Sequence, residues 1–204
     1  MIVILNYGMG NVGSIANMLK VIGAESVITS DISTIREADK LILPGVGAFD
    51  KGMKSLREYN LIEEIYAHAV VKKKPLLGIC LGMQLLGKKS EEGQLAGLAL
   101  IPFESKRFSF THEKLKVPHM GWDRAFCNND NNPLLYDINS PSRYYFVHSY
   151  HAVCEQEQHI LMTCEYGYKF AAAVYKDNIY GVQFHPEKSH NYGMAILKNF
   201  VERC

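Results

Sequence analysis

The run Gly78-Ile79-Cys80-Leu81-Gly82-Met83-Gln84 places a thiol between two glycines, where an apolar strand passes into a helix. This is the pattern of a nucleophile elbow with cysteine in place of serine. The central residue of such a turn is strained and exposed. A side chain two positions away on either side would collide with the turn, which accounts for the glycines. The helix that follows offers unpaired N–H groups and partial positive charge, which favour a thiolate and let the Leu81 amide hold an oxyanion. A buried structural cysteine at a strand end would read the same over so short a stretch.

A thiol nucleophile needs a base, and the base needs a group to orient it. Of the eight histidines, His185 ends the apolar run 181–184, where a strand would run out at the rim of a sheet. Pro186 keeps His185 extended, and in an extended chain His185 and Glu187 share a side. One ring nitrogen could then bond the carboxylate while the other faces Cys80. The loop Pro44-Gly45-Val46-Gly47-Ala48-Phe49 follows another apolar run. In a parallel sheet it would lie on the same edge as Cys80 and supply a second oxyanion donor. Tyr144-Tyr145-Phe146-Val147-His148-Ser149-Tyr150 reads as strand core whose polar end could line a small-molecule pocket. No histidine or cysteine cluster has zinc spacing, so neither a metal nor a cofactor is expected. Gly8-Met9-Gly10-Asn11 opens like a dinucleotide fingerprint but lacks the rest of that pattern.

These groups must be positioned by 204 residues carrying 22 basic and 21 acidic side chains, a net charge of +1. The length favours one domain, residues 1–204. The balanced charge argues against a nucleic-acid partner, and no stretch approaches the roughly 18 apolar residues of a membrane span. Five cysteines, widely spaced, and an N-terminal run without a basic region or cleavage pattern point to a reducing cytoplasm. Apolar runs at 2–5, 27–29, 40–43 and 76–79 alternate with helical periodicity at 14–22, 50–73 and from 81. That order predicts an α/β fold with a mostly parallel central sheet flanked by helices. Further along, short strands are predicted at 115–117, 143–147, 151–154, 161–164, 171–175 and 179–184, with a polar loop at 128–133 and a closing helix at 192–202. They would form a mixed or antiparallel extension of the sheet.

Taken together, residues 7–11, 44–49, 78–86, 90–93, 120–122, 145–150 and 181–189 resemble the class I, triad-type glutamine amidotransferases. Within that family the chain is most similar to the glutaminase subunits of imidazole glycerol phosphate synthase, of histidine biosynthesis. The resemblance implies a flavodoxin-like α/β domain with Cys80 as nucleophile, His185 as acid and base, and Glu187 as its orienter. It implies oxyanion donors at Gly47 and Leu81, and glutamine held by Gln84, Ser149 and Tyr150. It also implies a heterodimer in which Asn11, Met120, Gly121 and Trp122 face a (β/α)8-barrel cyclase that receives the ammonia. Asn6, Gly13, residues 87–89 and Asp123 depart from the family pattern without touching the triad. Because Asn6 and Asp123 lie near the implied interface, a paralogous subunit serving a sugar-amidinating synthase is the alternative. Unrelated in kind are a stand-alone cysteine hydrolase or redox protein, and a catalytically silent binding subunit.

Overall fold

The computed structural model describes residues 1–111, 115–129 and 131–204. The first half alternates strands and helices: β1 (Ile2–Leu5), α1 (Val12–Val21), β2 (Ser26–Thr29), α2 (Ile32–Glu37) and β3 (Lys40–Leu43). Then come α3 (Phe49–Glu58), α4 (Ile62–Tyr66), β4 (Leu76–Ile79) and α5 (Leu81–Leu85). The second half is nearly all strand: β5 (Lys89–Ser90), β6 (Phe103–Arg107), β7 (His119–Cys127), β8 (Ser142–His148), β9 (Tyr150–Cys154), β10 (Ile160–Tyr166), β11 (Tyr168–Lys176) and β12 (Ile179–Val182). The helix α6 (His190–Glu202) closes the chain's run of elements.

One sheet runs β2-β1-β3-β4-β12-β11-β10-β7-β8. Its first five strands are parallel, in the strand order of flavodoxin-like folds. The remaining four are antiparallel. A side branch pairs β9 with β11 and β6, and β6 with β5. Strands covered on both faces need apolar side chains on both, and β1 and β4 are buried throughout. Alternation sends Ile2 and Ile4 to one core with α1 and α6, and Val3 and Leu5 to the other with α3 and α5.

The expected α/β sheet with an antiparallel extension is therefore present, with local differences. The helix predicted over 50–73 is broken, because Asn60 takes a φ of +55°. Its N–H bonds the Arg57 carbonyl and that of Leu61 bonds Leu56, a Schellman stop that lets α4 start in a new direction. Residues 115–117 form no strand; Pro118 cannot donate to a ladder, and pairing begins at His119. The strands β5, β6 and β7 and the short helix α2 were not expected at all. In the polar loop 128–133, Asp130 lies outside the described residues. No helix among the described residues is long and apolar enough to cross a membrane.

Candidate active site

The strands β3, β4 and β12 are neighbours, and the chain leaving the carboxyl end of each carries a candidate group. Cys80 follows β4 directly, with φ +54° and ψ −110°. Its N–H donates to the Val182 carbonyl of β12 at 2.8 Å, and its own carbonyl accepts from Gln84 at 3.2 Å. These bonds hold the thiol in a backbone conformation that a non-glycine residue adopts only under constraint. A Cβ on Gly82 would stand 1.8 Å from the Leu43 carbonyl oxygen, and one on Gly78 would stand 2.7 Å from that of Gly82. Neither position has room for a side chain, as the elbow requires.

His185 leaves β12 in an extended conformation. Its N–H donates to the Tyr145 carbonyl at 2.9 Å. Its own carbonyl accepts from Ser189 Oγ at 2.6 Å, and that oxygen accepts from the Tyr145 N–H at 3.0 Å. Nδ1 bonds Glu187 Oε1 at 2.8 Å. Strand alternation is not what joins them: residues Pro186–Lys188 form a 3₁₀ turn, and the turn brings the carboxylate back to the ring. The two side chains are only 2% and 3% exposed. Burial alone would push His185 down. The nearby Cys80 thiol and the bond to Glu187, together with their charges, outweigh burial and raise His185 to about 9. Nε2 is buried without a completed hydrogen bond. The thiol thus lies near enough to act on the ring, while the bond between them is not formed in the resting geometry.

Cys80 and His185 share the wall of a cavity of about 380 Å³ with Gly47, Leu81, Gln84, Ser149 and Tyr150. That size falls in the range of small-molecule sites. Every residue predicted for chemistry or glutamine contact lines it except Glu187, which stands behind His185. The Leu81 amide is engaged, donating to the Gly45 carbonyl at 3.2 Å. Behind the loop at 44–47, the buried Tyr7 hydroxyl donates to the Pro44 carbonyl at 2.5 Å, and burial holds that phenol well above its ordinary range. The candidate interface residues lie elsewhere. Asn11 caps α1 by accepting from the Ser14 N–H at 3.3 Å. Met120 and Trp122 are 62% and 38% exposed, and Trp122 stacks on His190 at 5.3 Å. Gly121 between them has a φ of +136°.

The sequence model of the family described as glutamine amidotransferase class-I matches residues 3–204. The chain belongs to this family. It is 52% identical to the imidazole glycerol phosphate synthase subunit HisH 2 of Methanococcus maripaludis, over the full length of both chains. It is 50% identical to the subunit of the same name from Pseudomonas aeruginosa, covering 99% of each chain. With the HisH subunit of Sulfurimonas denitrificans the identity is 49%, over 99% of this chain and 98% of the relative. Among solved structures, PurLQS from Thermotoga maritima superposes with a TM-score of 0.75 at 19% identity, over 98% of this chain and 96% of that one. A glutamine amidotransferase superposes at 0.74 and 18% identity, over 98% and 97%. At that distance these structures support the amidotransferase fold alone.

Several groups in or beside this amidotransferase's cavity had no role in the expectations from sequence. Glu92 lines the cavity, and its carboxylate accepts from the Phe49 N–H at 2.8 Å. Gln183 Nε2 lies 3.8 Å from Cys80 Sγ. His148, one wall of the cavity, has one ring nitrogen beside His119 and the other at the Tyr150 backbone carbonyl, inside the aromatic cluster of the second half. Glu92 and Gln183 do sit within the quoted segments, so the signal was present as position but not as function. Among the described residues no group of three or more histidine, cysteine or acidic side chains is gathered for a metal ion.

Proposed function

We propose that this chain is the glutaminase subunit of an imidazole glycerol phosphate synthase, hydrolysing L-glutamine to glutamate and delivering the ammonia to a cyclase subunit. The observation that carries the chemistry is the convergence of Cys80, His185, Gln84, Ser149 and Tyr150 on one cavity, with Glu187 bonded to His185 from behind. The names of relatives at 49–52% identity support the histidine pathway over the sugar-amidinating alternative.

In this reading Cys80 gives its proton to His185 Nε2, and the sulfur attacks the side-chain amide carbon of glutamine. The tetrahedral oxyanion needs the Leu81 N–H. That donor is bonded to the Gly45 carbonyl, so the 44–47 loop must turn the carbonyl aside for the hole to form. His185 then passes its proton to the departing nitrogen, ammonia leaves, and a γ-glutamyl thioester remains. Water activated by the neutral imidazole hydrolyses the thioester, releasing glutamate and restoring the thiol. Glu187 holds the ring in the needed tautomer throughout. Glu92, the carboxylate on the cavity wall, is suited to meet the substrate's ammonium group.

The partner would be a (β/α)8-barrel cyclase docking over Asn11, Met120, Gly121 and Trp122 to form a cytoplasmic heterodimer. This chain's own step is hydrolysis, and the ring-closing lyase chemistry belongs to the partner. Residues 1–204 act as one amidotransferase domain, with glutamine and the partner as the ligands and no nucleic acid or membrane involved. Measuring glutamate release with and without a histidine-pathway cyclase tests the reading. A large rise on adding that cyclase, abolished by Cys80→Ala, is expected; a rise only with a sugar-amidinating synthase would contradict it.

A further inference from the structure

A line of side chains and one backbone carbonyl, spaced at hydrogen-bonding distances, leads from the rim of β7 to the thiol. His119 and His148 face each other across β7 and β8, with His119 Nδ1 3.2 Å from His148 Nε2. His148 Nδ1 lies 2.8 Å from the Tyr150 carbonyl, which also accepts from Gln84 Nε2 at 3.1 Å. Gln84 donates as well to Gln183 Oε1 at 3.0 Å, and Gln183 reaches Cys80 Sγ. At the far end His119 Nε2 stands 3.4 Å from Asp123 Oδ2, on a side chain that is 36% exposed.

Two acceptors in this line compete for one proton. A carbonyl only accepts, so His148 Nδ1 carries the hydrogen. Burial, reinforced by the imidazoles of His119, His151 and His185 against the pull of that carbonyl, pushes His148 down to about 3. It is neutral, and its Nε2 is a bare acceptor. Burial likewise holds His119 below its ordinary value, against the opposing influence of Asp123. His119 therefore has one proton and an acceptor at each nitrogen. The remaining neighbours on its faces are the rings of Tyr166 from β10, Phe146 from β8, Phe170 from β11 and Phe108.

We propose that Asp123 is a positioning residue that competes with His148 for the single proton of His119. With the proton on Nδ1, the chain is closed from β7 to the Tyr150 carbonyl and braces the corner that carries Ser149 and Tyr150. With the proton on Nε2, His119 pairs with Asp123 and His148 loses its donor. A cationic side chain brought to Asp123 by the docked synthase would remove the competitor and close the chain. β7 also carries Met120 and Trp122, so docking and proton position share one strand. The inference rests on the glutamine site proposed above and adds a route by which a partner could tighten it.

Long-range ¹⁵N–¹H NMR of the histidine rings in the full chain tests the proton positions without reference to activity. The hydrogen of His148 is expected on Nδ1 throughout, and both Asp123→Asn and Asp123→Ala should move the His119 proton to Nδ1. Alanine removes the competing acceptor outright, whereas asparagine keeps an uncharged amide that can donate to a bare Nε2, so agreement between them shows that the carboxylate held the proton. In the glutaminase assay both variants should lower KM for glutamine about fivefold, the effect of one restored hydrogen bond, with kcat changing less. His148 protonated on Nε2, an unmoved His119 proton, or a moved proton with unchanged KM would each overturn the proposal. No glutamine hydrolysis by the unaltered chain with its synthase would instead overturn the glutaminase reading, and the ring spectra would still report the proton positions.

Discussion

In the parallel half of the sheet, β1, β3 and β4 bury aliphatic side chains almost without interruption, and the reactive group stands just past a strand end. The antiparallel half instead buries imidazoles, His119, His148 and His151 among aromatic rings and His159 beside the Tyr175 carbonyl. The first half positions by backbone: a strained residue, two glycines without room for a methyl group, and main-chain bonds to the next strand. The second half positions by side-chain hydrogen bonds that lean on one another. Backbone devices fail abruptly when one atom is added, whereas bonded side chains lose function in steps.

The steepest loss should come where the two halves meet. His185→Asn removes the proton carrier and should lower glutamine turnover by about a thousandfold or more, measured as glutamate release with saturating partner. Gly82→Ala forces a Cβ against the Leu43 carbonyl. It should cost about 3 kcal/mol or more in denaturant unfolding, and a variant as stable as the parent would break the contrast between the two halves. Glu187→Gln orients the ring less well without consuming it, and should cost roughly 10- to 100-fold in turnover.

The raised pKa of His185 adds a stability signature. A group raised above its unfolded value stabilises fully below about 6.5 and loses that contribution as pH climbs through about 9. Unfolding free energy measured across this window should fall, and His185→Asn should flatten the slope. Glu187→Gln, which removes one of the groups raising the imidazole, should move the end of the window to lower pH. The smallest effect on folding belongs to the antiparallel face. Trp122→Ala should change stability by no more than about 0.5 kcal/mol, yet weaken binding of the synthase about tenfold in a titration.

The same contrast explains what could be read in advance. Parallel strands buried on both faces announce themselves as apolar runs, so β1, β3, β4 and β12 and the loops after them were visible in the sequence. In β7 the pattern is weak: Met120, Trp122 and Phe126 point outward and are exposed, while the opposite side carries buried His119, half-buried Asp123 and the small Ala125. A strand whose large apolar groups point to solvent has no hydrophobic signal for its fold, and so it went unrecognised. The pairing of His185 with Glu187 was anticipated, but from strand alternation, whereas a 3₁₀ turn after Pro186 produces it. The occupied Leu81 amide could not have been foreseen, because it depends on where the Gly45 carbonyl points.

The central claim is that Cys80 alone is the nucleophile toward glutamine. Treating the chain, docked to its synthase, with a glutamine-directed alkylating agent and locating the adduct by peptide mass spectrometry tests this directly. A single adduct on Cys80, blocked by excess glutamine and formed far more slowly in His185→Asn, is the expected result. An adduct on any of Cys127, Cys154, Cys164 or Cys204 in its place, or labelling of Cys80 that glutamine does not block, would contradict it.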